Sequence, residues 1–238
     1  IVGETNNGKT ALMNQLRRKH PPDPNVGGDA MKIPILYVQV PPKASESALY
    51  NKMLQLMFEH IPRSESTDQK RDRAVHVLKK VDLGMIVLDE FQHFLGGSST
   101  STRVCLNAVK YLGNELQVPI VGMGTVEAMR AVQTDEQLAN RLIPEVLPRW
   151  MLNAELARLL RSFEATLPLK KASDLAQKEI ASTIFATSEG TIGEISKLLG
   201  DAAVWAIRNG DEQITLEALA QCGYKGPTER KKIAKRLQ

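Results

Sequence analysis

Residues 3–10 read GETNNGKT and have the spacing of a phosphate-binding loop, G-x-x-x-x-G-K-[ST]. The glycines of such a loop let backbone N–H groups face inward around the β-phosphate of a nucleotide. Lys9 is expected to reach the β- and γ-phosphates, and the Thr10 hydroxyl to ligate Mg²⁺. A fortuitous Gly-rich turn is the alternative, which the apolar stump before the loop and the helix predicted over 11–18 disfavour. The residues predicted to contact nucleotide are Gly3, Glu4, Thr5, Asn6, Asn7, Gly8, Lys9, Thr10 and Ala11.

An apolar run over 85–88 (MIVL) ends in two acids, Asp89 and Glu90. A buried strand with this ending places Asp89 at the carboxyl edge of a sheet, where it can hold the Mg²⁺ shell. Glu90 is predicted to face the γ-phosphate and polarise water, with Gln92 and His93 as candidates for supporting it. The alternative is a strand-terminal Asp that caps a helix, which the phosphate loop disfavours. The acid pair also argues against a small-molecule kinase, because such an enzyme needs a phospho-acceptor pocket.

A third apolar run, 118–125 (VPIVGMGT), ends in Thr125. A polar residue at the tip of this strand would lie between the two motifs, where it could touch the γ-phosphate or the attacking water. The alternative role is N-capping of a helix predicted over 126–132, and the two roles are compatible.

Residues 134–137 (TDEQ) have the pattern of a capping box and predict a short helix that ends at Arg141. Arg141 would then lie at the edge of the core, where ATPases completed by a neighbouring subunit carry an arginine finger. Such a finger is worth roughly 10³–10⁵ in rate. A surface arginine paired with a carboxylate is the alternative, and Arg130 and Arg149 compete for the finger role.

Three apolar runs, 35–40 (ILYVQV), 84–89 (GMIVLD) and 118–123 (VPIVGM), have the composition of strands, and the last two that of buried parallel strands. Residues 1–2 are predicted to be the stump of another strand. Amphipathic stripes lie between these runs, so the pattern predicts a doubly wound α/β core. The polar stretch 62–73 (PRSESTDQKRDR) is predicted to be an exposed connection. The stripes comprise Leu49, Met53, Leu56 and Met57, and then Leu106, Val109, Leu112 and Leu116.

From about residue 153 the pattern predicts helices alone. Asn153 is predicted to cap one helix, Ser173 to begin another, and Thr191 with Glu194 to form a capping box before a helix that ends at Gly210. A last short helix is predicted over 216–221. The predicted organisation is therefore an N-terminally truncated α/β nucleotide-binding core over 1–152, a helical lid over 153–222 and a basic tail over 223–238.

The 238 residues are 42% hydrophobic and 24% charged, which is typical of a globular protein and argues against disorder. No apolar run approaches the roughly 18 residues of a membrane span. Cys105 and Cys222 lack metal-ligand spacing, which favours a reducing compartment and hence the cytoplasm. The sequence opens on Ile1 without a Met or a signal peptide, which indicates a fragment that starts inside an element.

The formal net charge of +4 permits an anionic partner without requiring one. The tail has a block of cations against one acid, Glu229, and such a block can bind nucleic acid or an acidic partner. The alternative is a solvated charge run. The cations are Lys225, Arg230, Lys231, Lys232, Lys235 and Arg236.

Taken together, the motifs resemble the TniB/TnsC family of transposition ATPases, which belong to the AAA+ superfamily beside the IstB helper ATPases. The resemblance covers residues 1–221 and depends most on the GT-x-EA element at 124–128, on DEQLANR at 135–141 and on GTIG at 190–193. The motifs that carry it are GETNNGKT, MIVLDEFQHF, VPIVGMGTVEAM, QTDEQLANRL, LPRW and SEGTIGEISKLLGDAA.

The resemblance implies a P-loop AAA+ core with a mostly parallel sheet and a small α-helical lid, ATP and Mg²⁺ as ligands, and Mg²⁺-dependent ATP hydrolysis. It also implies a bacterial, DNA-associated protein that assembles into a ring or helical filament on double-stranded DNA. The assembly would recruit a transposase and link it to a target-selection protein, and hydrolysis would dismantle it. By position, Lys9 and Thr10 bind nucleotide and Mg²⁺, and Asp89 holds Mg²⁺.

By the same resemblance, Glu90 activates water, Thr125 is the first sensor and Arg141 is the arginine finger. Arg103 and Lys110 are candidate DNA contacts, because pore-facing elements of the superfamily begin near them.

The sequence departs from the superfamily where many lids carry a γ-phosphate-sensing arginine, because Gly193 occupies that position. Lys197 lies one turn later and is a candidate substitute. Hydrolysis is therefore expected to be slow without a stimulating partner. Three alternatives stay open: an ATP-binding scaffold with little turnover, a helicase loader of the IstB or initiator type and, remotely, a metabolic kinase.

Overall fold

The computed structural model describes residues 1–133 and 135–236. The chain divides into two compact units, one formed by Ile1–Thr5 with Lys9–Leu147 and the other by Asn6–Gly8 with Pro148–Gln238. Each unit has its own cluster of buried apolar side chains.

The first unit contains a three-stranded parallel sheet in the order β1 (Ile35–Gln39), β2 (Met85–Asp89), β3 (Ile120–Gly122). Val2 forms parallel bridges with Gly124 and Val146, so the strand stump pairs beyond the tip of β3. The predicted parallel α/β core is therefore confirmed, with strands one to three residues shorter than their apolar runs.

Helices surround this sheet, and the first of them, α1, begins directly on the phosphate loop. A 3₁₀ turn, Phe91–Leu95, follows β2. The helices of the first unit are α1 (Lys9–Lys19), α2 (Glu46–Leu56), α3 (Thr67–Lys80), α4 (Ser99–Leu116), α5 (Val126–Val132) and α6 (Glu136–Ala139).

The prediction of an exposed connection over 62–73 is wrong for most of that stretch, because α3 begins at Thr67. Ser66 and Gln69 form a capping box, in which the Gln69 N–H donates to Ser66 Oγ at 3.2 Å and the Ser66 N–H donates to Gln69 Oε1 at 2.9 Å. The helix buries a short apolar stripe against the core, formed by Ala74, Val75 and Leu78. Asp68 and Asp72 are exposed in its first turns, whereas Arg71 and Arg73 are only partly exposed.

The helix predicted to end at Arg141 is shorter, since α6 ends at Ala139. Asp135 caps it by accepting a hydrogen bond from the Leu138 N–H at 3.1 Å. Thr134, the first residue of the predicted capping box, lies outside the described residues.

The second unit is helical, as predicted, and its core lies between α7, α8, α9 and α10. Asn153 caps α7, because its Oδ1 accepts the N–H groups of Glu155 at 3.0 Å and Leu156 at 3.1 Å. Gly210 ends α9 with φ +77°. The helices are α7 (Ala154–Glu164), α8 (Lys178–Ser188), α9 (Ile192–Asn209), α10 (Leu216–Gln221) and α11 (Pro227–Arg236).

One predicted helix start and one predicted capping box in this unit are wrong, although α9 does begin directly after Thr191. Ser173 begins no helix, and its buried hydroxyl instead accepts a hydrogen bond from the Ile214 N–H at 2.9 Å. Thr191 precedes α9 but makes no capping bond, because its hydroxyl donates to the Ser188 carbonyl at 3.4 Å. Glu194, the other half of that predicted box, is hydrogen-bonded to other side chains.

Most of the basic tail forms α11. No helix within the described parts of the chain has the length and apolar character needed to cross a membrane.

Candidate functional site

The phosphate-loop motif turns directly from the Val2 bridge into α1. Asn6 and Gly8 have positive φ angles of 65° and 85°, which fold the loop back on itself. Lys9 Nζ donates to the carbonyls of Gly3 and Glu4, each at 2.8 Å. Its ammonium therefore lies across the loop, where a polyphosphate could exchange for these carbonyls. Burial lowers the pKa of Lys9, although the nearby carboxylates of Asp89 and Glu90 oppose the shift.

The two predicted magnesium ligands contact each other. Thr10 Oγ1 donates to Asp89 Oδ2 at 3.2 Å, and the Glu90 N–H donates to Asp89 Oδ1 at 2.8 Å. A hydroxyl and a carboxylate are oxygen donors that suit Mg²⁺, which usually takes its remaining ligands from phosphates and water. In the described residues no group of three or more His, Cys, Asp or Glu side chains could hold a metal on its own. The residues present therefore fit Mg²⁺ bound together with a nucleotide.

Tyr37 is a site residue that the motifs do not reveal. It lies on β1 beside β2, and its hydroxyl donates to Asp89 Oδ2, the oxygen that Thr10 also contacts. The Arg17 guanidinium of α1 lies over its ring, 5.3 Å from the centroid. Burial and the hydrogen bond to Asp89 raise the pKa of Tyr37 to about 12, so the phenol stays a donor at neutral pH. The available signal in the sequence is the single hydroxyl side chain within β1, ILYVQ.

Glu90 directly follows β2 in a left-handed conformation with φ 57°. Gln92 Nε2 donates to the Glu90 carboxylate, and Gln92 Oε1 accepts the Thr125 N–H at 3.3 Å. Gln92 thus joins the acid after β2 to the tip beyond β3, because the two strands are parallel neighbours. The Thr125 hydroxyl also hydrogen-bonds the Glu127 carboxylate and lowers the pKa of Glu127. This contact lies at the N-terminus of α5, as in a helix cap. His93 turns away, with its Nδ1 lying 2.8 Å from the Val40 carbonyl.

The arginines proposed as fingers lie on the surface. Arg141 Nη1 donates to Asn114 Oδ1 of α4 at 2.7 Å, and the side chain borders an apolar cavity beside β3. Arg130 is exposed on α5. Arg149 donates to the Glu189 carbonyl at 3.1 Å within the second unit. An exposed Arg141 has the placement that a contact to another subunit needs.

The two candidate DNA contacts lie on α4 and differ in availability. Lys110 Nζ is 3.1 Å from Asp135 Oδ2 and donates to Gln137 Oε1 at 3.3 Å, and its side chain is only 16% exposed. Arg103 is exposed at the same polar groove. Arg103 can therefore meet a phosphate directly, whereas Lys110 would first have to leave Asp135.

Loop residues 6–8 group with the second unit, and Asn6 contacts the start of α9. Its carbonyl accepts the Gly193 N–H at 3.0 Å, and its Nδ2 donates to Glu194 Oε1 at 3.1 Å. A Cβ at position 193 would lie 2.0 Å from Asn6 Oδ1, so any residue other than glycine there would displace the Asn6 side chain. Lys197 is exposed one turn further along α9.

Known proteins share both sequence and fold features with the chain. A family model described as "Bacterial TniB protein" matches residues 1–152. No curated protein sequence matches the chain. In fold, the chain is similar to the Aeropyrum pernix ORC1 protein in complex with DNA, at 19% identity and a TM-score of 0.61, over 98% of this chain and 58% of that one.

Two further structures have the same likeness. Cdc6p from Pyrobaculum aerophilum is 16% identical with a TM-score of 0.57, over 91% of this chain and 57% of that one. A Walker-type ATPase of Pyrococcus abyssi is 13% identical with a TM-score of 0.58, over 99% of this chain and 67% of that one. At these identities the likeness concerns the fold alone, and it confirms the predicted AAA+ architecture. The chain spans 58% and 57% of the first two proteins.

Proposed function

Because the chain belongs to the TniB family, we propose that it is a Mg²⁺-dependent ATPase that regulates DNA transposition in the bacterial cytoplasm. It assembles as a ring or helical filament on double-stranded DNA, recruits a transposase and links it to a target-selection protein. ATP hydrolysis dismantles the assembly. The observation that supports nucleotide binding is the 3.2 Å contact between Thr10 and Asp89 beside the phosphate loop. The phosphate-loop motif and the acid motif predict these two residues independently.

Each side chain of the site has a distinct task in this proposal. Lys9 leaves the Gly3 and Glu4 carbonyls to bind phosphate, and Thr10 with Asp89 holds Mg²⁺. When bound, Mg²⁺ neutralises charge on the transferring phosphoryl group. Glu90 accepts a proton from the attacking water, and Gln92 keeps that carboxylate beside Thr125. Thr125 lies next to the reacting phosphate as the first sensor.

Assembly and DNA binding depend on the surface of the molecule. Arg141 is proposed to reach the nucleotide of a neighbouring subunit, which its exposure on the first unit supports. Arg103 is the better supported DNA contact, and Lys110 contributes only where DNA displaces Asp135. Aromatic residues are 5% of the chain, so base stacking is a minor term and phosphate contacts dominate.

Electron microscopy with duplex DNA and a slowly hydrolysed ATP analogue tests the proposal. Rings or filaments should form with the analogue and fail without it. Lys9→Ala removes a charge-assisted phosphate contact and should abolish assembly together with ATP binding. Unchanged assembly by this variant would contradict an ATP-gated regulator.

Two related functions have specific support. The fold likeness to ORC1 and Cdc6p favours an initiator or helicase loader, which would associate with a replicative helicase rather than a transposase. The glycine at 193, where many lids of the superfamily carry a γ-phosphate-sensing arginine, favours a scaffold with little turnover. Co-sedimentation with a replicative helicase or with a transposase distinguishes the loader from the transposition regulator. Phosphate release measured with and without the partner distinguishes the scaffold from an active ATPase.

A further inference from the structure

The Glu194 carboxylate collects three hydrogen bonds within the second unit. Oε1 accepts from Asn6 Nδ2 at 3.1 Å and from Arg230 Nη2 at 2.7 Å, while Oε2 accepts from the Tyr224 hydroxyl at 2.5 Å. The residue is only 7% exposed. Two of these donors come from the C-terminal segment and one from the phosphate loop, so Glu194 joins chain segments that are far apart in sequence.

A nearly buried carboxylate at this place needs an explanation. Asn6 lies in the middle of the loop predicted to hold phosphates, and a negative charge beside it repels a polyphosphate. Burial alone would raise the pKa of Glu194, but the hydrogen bonds from Tyr224, Arg230 and Asn6 together lower it. The group is therefore an anion at neutral pH, and the site tolerates it only if a cation compensates the charge.

Arg230 is the cation that compensates it. A guanidinium is charged throughout the physiological range, and the bond to Glu194 is the largest cause of a further raised pKa at Arg230. The helix that carries Arg230 is itself held, because the Thr228 N–H donates to Glu189 Oε1 at 2.7 Å. Its remaining cations, Lys231, Lys232, Lys235 and Arg236, are exposed.

The loop residue is fixed by the same contacts. Asn6 is held at its side chain by Glu194 and at its carbonyl by the Gly193 N–H, and a side chain at position 193 would push the Asn6 amide away. Glu194 thus orients Asn6 as a hydrogen-bond acceptor, but its negative charge, if unpaired, would weaken phosphate binding. Arg230 preserves the first role and removes the second.

We propose that Arg230 is a positioning residue of the nucleotide site, which neutralises Glu194 so that this carboxylate can hold Asn6 of the phosphate loop without repelling the phosphates. The proposal rests on the proposed nucleotide function. It gives the C-terminal helix a task in nucleotide binding. The contact that transmits the effect is the shared oxygen, Glu194 Oε1.

Equilibrium binding of a fluorescent ATP analogue to the full chain in the presence of Mg²⁺ tests the proposal. Arg230→Ala should weaken the affinity on the order of tenfold, because it leaves an uncompensated carboxylate that is largely withdrawn from water. Arg230→Lys should retain most of the affinity, since the charge remains. Lys235→Ala removes an exposed cation from the same helix and should bind like the unaltered chain.

The deciding variant is the double substitution Glu194→Gln with Arg230→Ala. It removes the carboxylate charge while keeping an amide oxygen for Asn6, so affinity should return to within about threefold of the unaltered chain. Circular dichroism melting shows that each variant is folded. A double variant as weak as Arg230→Ala would mean that the arginine is only structural, and the proposal would be overturned.

The same measurement separates this inference from the proposed function. If the unaltered chain binds the analogue and Arg230→Ala binds it equally well, the inference alone is wrong. If the unaltered chain and Lys9→Ala both fail to bind, the proposed nucleotide function is wrong and the inference fails with it.

Discussion

Glu90 differs from an ordinary surface acid because its carboxylate accepts a hydrogen bond from Gln92, which also contacts the Thr125 backbone. Glu90→Gln should lower the rate of ATP hydrolysis by roughly 10²–10⁴, the range for loss of a general base, while ATP still binds. Assemblies on DNA should then form and persist. Phosphate release and the lifetime of the DNA complexes measure the two effects.

Glu115→Gln is the matched control for this substitution, because Glu115 is an exposed carboxylate of α4 that pairs with Lys79 instead. Its turnover should stay close to that of the unaltered chain. Normal turnover by Glu90→Gln would mean that another group holds the attacking water.

Tyr37 on β1 donates a hydrogen bond to Asp89, the proposed magnesium ligand on the neighbouring strand β2. Tyr37→Phe removes only the donating hydroxyl and should raise the Mg²⁺ concentration needed for ATP binding about tenfold, as loss of an outer-sphere partner typically does. Titration of Mg²⁺ against a fluorescent ATP analogue measures the shift.

Tyr111→Phe is the control for Tyr37→Phe, since the Tyr111 ring packs on Arg71, away from Asp89. Equal Mg²⁺ dependence in the two variants would show that Tyr37 has no part in metal binding.

The start of α3 depends on its capping box, because the polar residues of its first turns have the pattern of a loop in the sequence. Ser66→Ala removes the capping bond to the Gln69 N–H and should lower the free energy of unfolding by about 1 kcal/mol. Urea unfolding followed by circular dichroism measures the change. Ser64→Ala, an exposed serine of the preceding loop, should leave the midpoint unchanged, and equal midpoints for both variants would contradict the cap.

Much of the architecture could be predicted from sequence, because apolar runs mark the strands, and capping residues and glycines mark the ends of helices. The apolar runs 84–89 and 118–123 contain β2 and β3, and Asn153 caps α7 as its position indicates. Capping patterns failed where tertiary contacts compete for the same side chains. Glu194 would serve as an N3 acid by pattern, but Asn6 and Arg230 from distant parts of the chain bind its carboxylate instead.

The candidate site divides in the same way. Lys9, Thr10 and Asp89 are predictable, because a local motif fixes the loop and strand polarity fixes the acid. Tyr37 is not, because its role depends on the register of β1 against β2, which no local pattern states. Lys110 illustrates the opposite case, in which the sequence suggests an available cation. In the fold Lys110 is paired with Asp135, and no local pattern indicates this.

The whole molecule carries a small positive net charge of +4, so DNA binding should be indifferent to base sequence and steeply dependent on salt. Arg103→Ala should reduce the slope of log affinity against log salt by roughly one phosphate contact per subunit, whereas Lys110→Ala should change it little. Fluorescence anisotropy with labelled duplex at several salt concentrations measures the slope. A slope lost only when the cations of α11 are replaced together would move the DNA site to that helix.

The proposed role of Arg141 depends on the assembly, because it requires a second subunit. Arg141→Ala should abolish most hydrolysis while single subunits still bind ATP, since the nucleotide contacts of each subunit are its own. Arg130→Ala, an exposed arginine on α5, is the control and should keep its turnover.

Mixing variants tests whether Arg141 acts on a neighbour's nucleotide. Glu90→Gln subunits bind ATP and assemble but lack the base, and they keep Arg141, so they can donate a finger to Arg141→Ala subunits, whose sites are intact. In an equal mixture that assembles at random through a head-to-tail interface, roughly a quarter of the interfaces combine an intact site with an intact finger. Phosphate release should recover in proportion, although each variant alone is inactive. If light scattering shows that the variants co-assemble and turnover still does not recover at any ratio, Arg141 acts within its own subunit or not at all.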